Sequence, residues 1–166
     1  MSKRSAPPGG ASACTLGDLL LAAVVPKARW QGRKQVLAEL SAEMARALGL
    51  DPKYVLDQVL EREKLGSTGV GEGVAIPHAR IEGLTRPVGG FARLMEPADF
   101  DAIDERGADL IFMLLAPTDA GAEHLQALAR TARVFRQESV RAALRQAHTS
   151  DAVLAILAPE SVIDAA

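Results

Sequence analysis

The sequence predicts a three-layer α/β domain, with helices on both sides of a central sheet. Two observations carry this. Helical periodicity dominates both ends of the chain while strand-like runs fill its middle, and one run, Asp109–Ala116, is apolar almost throughout, as a strand covered on both faces must be. With 166 residues the chain amounts to about one domain, large enough to bury on the order of two-thirds of its unfolded surface.

Each element has its own signal. Residues 1–14 are rich in Pro, Gly, Ser and Ala, offer no periodic apolar face and read as a disordered leader; 159–166 reads as a C-terminal tail. Leu19–Trp30 holds an apolar run broken by Pro26, which predicts a strand around Val24–Ala28 at a sheet edge, because proline cannot donate to a ladder. Val36, Leu37, Leu40, Met44 and Leu48 recur with a 3.6-residue period, predicting a helix over Gly32–Leu48 that stops at Gly49. Asp51-Pro52 then supplies an N-cap and a first-turn proline for a second helix that turns Val55, Leu56, Val59 and Leu60 inward and ends near Leu65-Gly66. Gly66–Gly73 packs four glycines into eight residues. Val74–Ile76 is a short strand stopped by Pro77, and Val88–Met95 and Asp109–Ala116 are longer ones. From Gly121 the residues Leu125, Leu128, Ala129, Ala132 and Phe135 mark a third helix, and helical segments over Ser139–Ala147 and Ser150–Leu157 finish the chain.

Composition excludes several functions. Nineteen Lys and Arg against 21 Asp and Glu give a net charge of −2, without the basic stripe of a nucleic-acid binder. The longest apolar runs have seven residues, whereas a membrane-spanning helix needs about 20. Cys14 is the single cysteine, so neither an internal disulfide nor a cysteine zinc cluster can form, and in the leader it reads as a passenger. Pro7, Pro8, Gly9 and Gly10 stand where a signal peptide needs an apolar core. The expected compartment is the cytoplasm.

The densest signal for chemistry runs from Gly66 to Arg80. A P-loop needs Lys followed by Ser or Thr after its last glycine, and none is present. A dinucleotide fingerprint needs strand, glycine turn, then helix; here the order is helix, glycine turn, strand. Gly-x-Ser-x-Gly is also absent. What remains is His78 directly after Pro77, held stiffly at the end of a short strand, with glycines beside it that permit tight turns and leave N–H groups free to meet an anion. Arg62, near the end of the second helix, and His124, in the first turn of the third, are its candidate partners. Read alone, Arg62 is a solvated helix charge, His124 a partly exposed imidazole and His148 a surface residue.

The run Arg62-Glu63-Lys64-Leu65-Gly66-Ser67-Thr68-Gly69-Val70-Gly71, followed by Val74-Ala75-Ile76-Pro77-His78, resembles the phosphorylation-site signature of enzyme IIA domains of the fructose/mannitol type, part of the bacterial phosphotransferase system. Leu114-Leu115-Ala116-Pro117 and Glu123-His124-Leu125-Gln126-Ala127-Leu128-Ala129 also resemble that family. The likeness spans about Leu16 to Leu157, and Gly-Ser-Thr-Gly is most similar to the nitrogen-regulatory subgroup. One departure is Ala79, where the family commonly has glycine.

The resemblance implies a mixed sheet covered by helices, and a phosphoryl group accepted on His78 from the histidine of HPr or an HPr-like protein, with Arg62 and His124 beside it. It implies a recipient that is a regulatory target or a IIB domain, with no cofactor and no metal. Ser67 and Thr68 become phosphate-cradle candidates together with backbone N–H groups of the glycine turn. The chemistry fits: imidazole has an ordinary pKa near 6.5 and is a nucleophile when neutral, its other nitrogen must be held in one tautomer by an acceptor such as a backbone carbonyl, and Arg62 brings a planar guanidinium for phosphoryl oxygens. Alternatives are the IIA component of a sugar importer, a docking module that no longer carries phosphate, and a metal-dependent enzyme built on His78 and His124.

Overall fold

The computed structural model describes residues 15–159. The leader with its cysteine, Cys14, and the tail beyond residue 159 lie outside them. The described chain forms five helices and a six-stranded mixed sheet. In chain order the elements are β1 (Leu20–Ala28), α1 (Gly32–Leu48), α2 (Pro52–Lys64), β2 (Gly69–Gly71), β3 (Val74–Ala75), β4 (His78–Ile81), β5 (Val88–Ala98), β6 (Ala108–Pro117), α3 (Ala122–Arg136), α4 (Glu138–Gln146) and α5 (Ser150–Leu157).

The sheet runs β1-β5-β6-β3-β2, with β4 also on β6. β1 lies parallel to β5, β5 antiparallel to β6, and both β3 and β4 parallel to β6. β6 is buried along almost its whole length, as its apolar run requires. Its alternation sorts the core into two halves: Ile111, Met113 and Leu115 face α1 and α2, while Leu110, Phe112 and Leu114 face α3, α4 and α5. The layers are therefore helices, sheet and helices.

Local chemistry sets the ends of the elements. Gly49 closes α1 in the left-handed region at φ 71°, its N–H on the Ala45 carbonyl. The Asp51 carboxylate accepts from the Lys53 N–H and Pro52 opens α2. Thr149 caps α5 through the Ala152 N–H. Pro26 sits in β1, the edge strand, with its carbonyl bonded to Arg93; the strand starts at Leu20, earlier than the sequence indicates. On β5, Gly89 and Gly90 leave room for large side chains to lie on the sheet. A Cβ at Gly90 would stand 2.6 Å from the Met44 sulfur, and one at Gly89 would enter the Phe112 ring.

Two strands go beyond the sequence expectation. The glycine-rich segment forms a hairpin in which β2 pairs with β3 across a turn at Glu72-Gly73, both at positive φ. β4 resumes where β3 stops. Val74 faces Leu110 and His78 faces Leu114, the same register on β6, so β3 and β4 are two pieces of one strand broken at Ile76-Pro77. Proline has no N–H to give the ladder, and the Ile76 N–H turns away to the Thr68 carbonyl. His78 therefore opens a strand, where the sequence placed it at the end of one.

Candidate functional site

β4 and the ends of α2 and α3 converge on a cleft. Ala79 and Ile81 point into the α1/α2 half of the core, which turns His78 and Arg80 to the opposite face of the same strand. Ala79, where the family commonly has glycine, is thus a core residue that also borders the cleft. The cleft is lined by Gln58, Glu61, Arg62 and Leu65 from the α2 side, by His78 and Arg80 from β4, and by His124, Leu125 and Leu128 from α3.

His78 is fixed at both ring nitrogens. Nδ1 lies 2.9 Å from the Ile76 carbonyl. A carbonyl only accepts, so Nδ1 carries the proton and donates. Nε2 is then the bare nitrogen, and it accepts the Arg62 Nε–H at 3.1 Å. The Ile76 carbonyl is the tautomer-setting acceptor that the sequence left open, and the intervening proline, with its fixed φ, holds it in place. Burial pushes the His78 pKa below the ordinary 6.5, the Ile76 carbonyl opposes this, the Arg62 cation adds to it and the Glu63 carboxylate partly offsets it. With Nδ1 donating to Ile76 and Nε2 accepting from Arg62, the ring is in its neutral form in this geometry.

Arg62 reaches His78 from the last turn of α2, and its Nη1 also donates to the Gly66 carbonyl at 2.9 Å. Glu63 beside it is almost fully buried and anchors the following loop. It accepts from the Thr68 hydroxyl at 2.9 Å and from the Thr68 N–H at 3.3 Å, with Arg33 3.7 Å away. The carbonyl that holds Arg62 is thereby held itself.

His124 stands across the cleft, its ring centroid 5.8 Å from that of His78 and tilted 52°. It is 5% exposed, far deeper than a surface imidazole, and its Nδ1 has no hydrogen-bond partner. Burial lowers its pKa, as do the charge of Arg80 and the neighbouring His78.

The structure thus brings Arg62, His78 and His124 together and keeps Ser67 and Thr68 out. The Ser67 hydroxyl donates to the Phe100 carbonyl and accepts the Gly69 N–H, and the Thr68 hydroxyl belongs to Glu63. Neither lines the cleft. The N–H groups of Thr68, Gly69 and Glu72 are likewise spent, on Glu63, Ser67 and Asp104. The glycines serve the hairpin, so the phosphate cradle expected from them is not met by this geometry. His148 is exposed and outside the cleft. Among the described residues, no three His, Cys, Asp or Glu side chains cluster to hold a metal ion, and no helix is long and apolar enough to cross a membrane.

A nitrogen regulatory protein of Bradyrhizobium diazoefficiens is 44% identical over 136 residues, covering 82% of this chain and 89% of that one. A fructose-specific EIIA component of Haloferax volcanii is 39% identical over 133 residues, covering 80% of this chain and 85% of its own length. The crystal structure of the nitrogen regulatory protein IIA-Ntr from Neisseria meningitidis superposes with a TM-score of 0.77 at 40% identity, covering 84% of this chain and 95% of that one. Residues 21–159 match the family model described as "Phosphoenolpyruvate-dependent sugar phosphotransferase system, EIIA 2", and the chain belongs to that family.

Proposed function

We propose that this protein is a phosphohistidine carrier that takes a phosphoryl group from the phosphohistidine of an HPr-like protein onto Nε2 of His78. The observation that carries the reading is the locked tautomer: Nδ1–H on the Ile76 carbonyl leaves the Nε2 lone pair directed into a cleft that also holds Arg62 and His124. In the transfer, the donor's N–P bond breaks and an N–P bond forms at His78 Nε2. The electron pair of the broken bond returns to the donor ring, and Nδ1 keeps its proton on Ile76, which stabilises the charge that develops on the imidazole. Arg62 must release Nε2 for the bond to form, and its guanidinium then meets the phosphoryl oxygens. The work is positioning and charge stabilisation.

The output we infer is regulatory, exerted by contact with a target protein in the cytoplasm. The names of the 44% and 40% identical relatives support it. The fructose-specific relative at 39% identity favours a second reading, onward transfer to a IIB domain of a sugar importer.

Intact-mass measurement after incubation with phosphoenolpyruvate, enzyme I and an HPr-type donor tests the carrier step, with peptide mapping kept alkaline because phosphohistidine is acid-labile. One phosphoryl group on His78 of the wild type and none on His78→Ala is the expected result. A His78→Ala variant that loads like the wild type overturns it. Wild type that loads from no donor, while His78→Ala loses a binding partner, points to a docking module instead.

A further inference from the structure

A phosphoryl group on a side chain carries roughly −1.5 to −2 charge and three strong acceptor oxygens. The donors assembled around His78 are fewer than this load suggests. Ser67 and Thr68 are engaged elsewhere, and Arg62, once it releases His78, still commits Nη1 to the Gly66 carbonyl. A second cation stands in the cleft beside Arg62. Arg80 is exposed and lines the same cleft as His78 and His124. Arg33, Arg130, Arg141 and Arg145 each pair with a carboxylate, whereas Arg80 enters none of the ion pairs among the described residues.

Its position follows from the strand. Ala79 and Ile81 are core residues on one face of β4, so His78 and Arg80 stand side by side on the other, about 7 Å apart along the backbone. That separation is within the reach of an arginine side chain bending back over its neighbour. The Arg80 charge already acts on His124 across the cleft. A guanidinium in this place presents a planar fork of N–H donors suited to two oxygens of one phosphoryl group.

We propose that Arg80 is a phosphoryl-binding residue of this site, donating to the phosphoryl oxygens once the group sits on His78 Nε2 and sharing its charge with Arg62 and His124. The proposal rests on the carrier reading above. Arg80 forms and breaks no covalent bond; its guanidinium exchanges water for phosphoryl oxygens. It lies on the same strand as the acceptor, so it stabilises the phosphorylated protein itself, with or without a partner bound. That distinguishes it from a cation that only steers docking, which changes the rate of transfer and leaves the equilibrium between free species untouched.

The equilibrium constant for transfer between the HPr-type donor and this protein is therefore the decisive measurement, read by intact mass of both proteins at several mixing ratios. Arg80→Gln should shift it toward the phosphorylated donor by about threefold to tenfold, the size expected of a charge-assisted hydrogen bond at a partly solvated site. Arg80→Lys, which keeps the charge, should recover most of the shift. The 31P resonance of the isolated phosphoprotein should move in Arg80→Gln as well. An Arg80→Gln variant with the wild-type equilibrium constant overturns the proposal, even if it approaches equilibrium slowly, since slow approach alone marks a docking role. Wild type that takes no phosphoryl group on His78 removes the carrier reading, and the role of Arg80 with it. Wild type that loads normally while Arg80→Gln matches it removes the role of Arg80 alone.

Discussion

The two imidazoles that face each other across the cleft are held by opposite means. His78 opens a strand and is bound at both nitrogens, by the Ile76 carbonyl and by Arg62. His124 sits in the first turn of α3, is held by burial, and has a ring nitrogen with no partner. A strand fixes the direction of a side chain, and a carbonyl two residues back fixes its tautomer. The helix turn that carries His124 supplies no such acceptor to Nδ1. The pair therefore divides into a ring hydrogen-bonded at both nitrogens and a ring whose buried Nδ1 has no partner. On the carrier role proposed above, His124 would act on the charge that builds up between the two rings, whose centroids are 5.8 Å apart.

If this division is right, the two histidines differ in what their loss does. Removing His78 removes the attachment point. His124→Gln should keep attachment at His78 but slow transfer by about 10²-fold, the usual scale for loss of one preorganised donor. Single-turnover loading, quenched in alkali and read by mass, checks this. Equal rates for His124→Gln and wild type would break the comparison, as would loss of all attachment.

The two seats should also respond differently to damage in the core. α3 rests on a ring cluster in which Phe135 lies 5.6 Å from Phe112 and 6.3 Å from Phe91. Phe135→Ala should cost about 3–5 kcal/mol in urea unfolding and slow transfer by loosening the helix under His124. The tautomer of His78 is set by the Ile76 backbone carbonyl, and β4 rests through Ala79 and Ile81 on the other half of the core, so although the Ile76 side chain shares the cluster of Phe135, the 15N ring shifts of His78 should move less than those of His124. A change at His78 as large as that at His124 would show that the two seats are not separate.

Much of this arrangement was legible in the sequence wherever one residue type answers one local requirement. Gly49 ends α1 in the left-handed region, and Asp51-Pro52 starts α2 where its cap and missing N–H dictate. The uninterrupted apolar run of β6 announced the central strand. β2 and β4 were not legible, because segments of three and four residues carry too little alternation, and their pairing depends on distant partners. The cleft divides along the same line. Arg62, His78 and His124 are side chains in a recognisable pattern. The Ile76 acceptor is a backbone carbonyl and leaves no letter in the sequence. Ser67 and Thr68 misled because hydroxyls beside glycines look like a phosphate loop, while the buried Glu63 and the Phe100 carbonyl claim them first. Arg80 did leave a signal, the period of two from His78, but it could be used only once β4 was known to be a strand.

The smallest effects concern protons. Burial, more than any neighbouring charge, lowers the pKa of both rings below 6.5, with Arg62 adding to the effect at His78 and Arg80 at His124. Arg62→Gln should therefore raise the titration midpoint of His78, and Arg80→Gln that of His124, each followed by NMR of the ring protons. A midpoint that falls in either variant contradicts the assignment of neighbours. The linkage to stability has a fixed sign. In the window below 6.5 and above the lowered native values, the unfolded chain binds more protons than the folded one, so stability rises with pH there. Both rings contribute fully above 6.5, and the contribution is lost as the pH falls through the native pKa values. Raising one midpoint by removing an arginine narrows the window from below, and the variant should lose less stability on acidification than the wild type. Urea titrations at pH 7.5 and pH 5.5 on the two variants would separate the rings: the slope should flatten in both, and a slope unchanged in Arg80→Gln would mean that His124 is held neutral by burial alone.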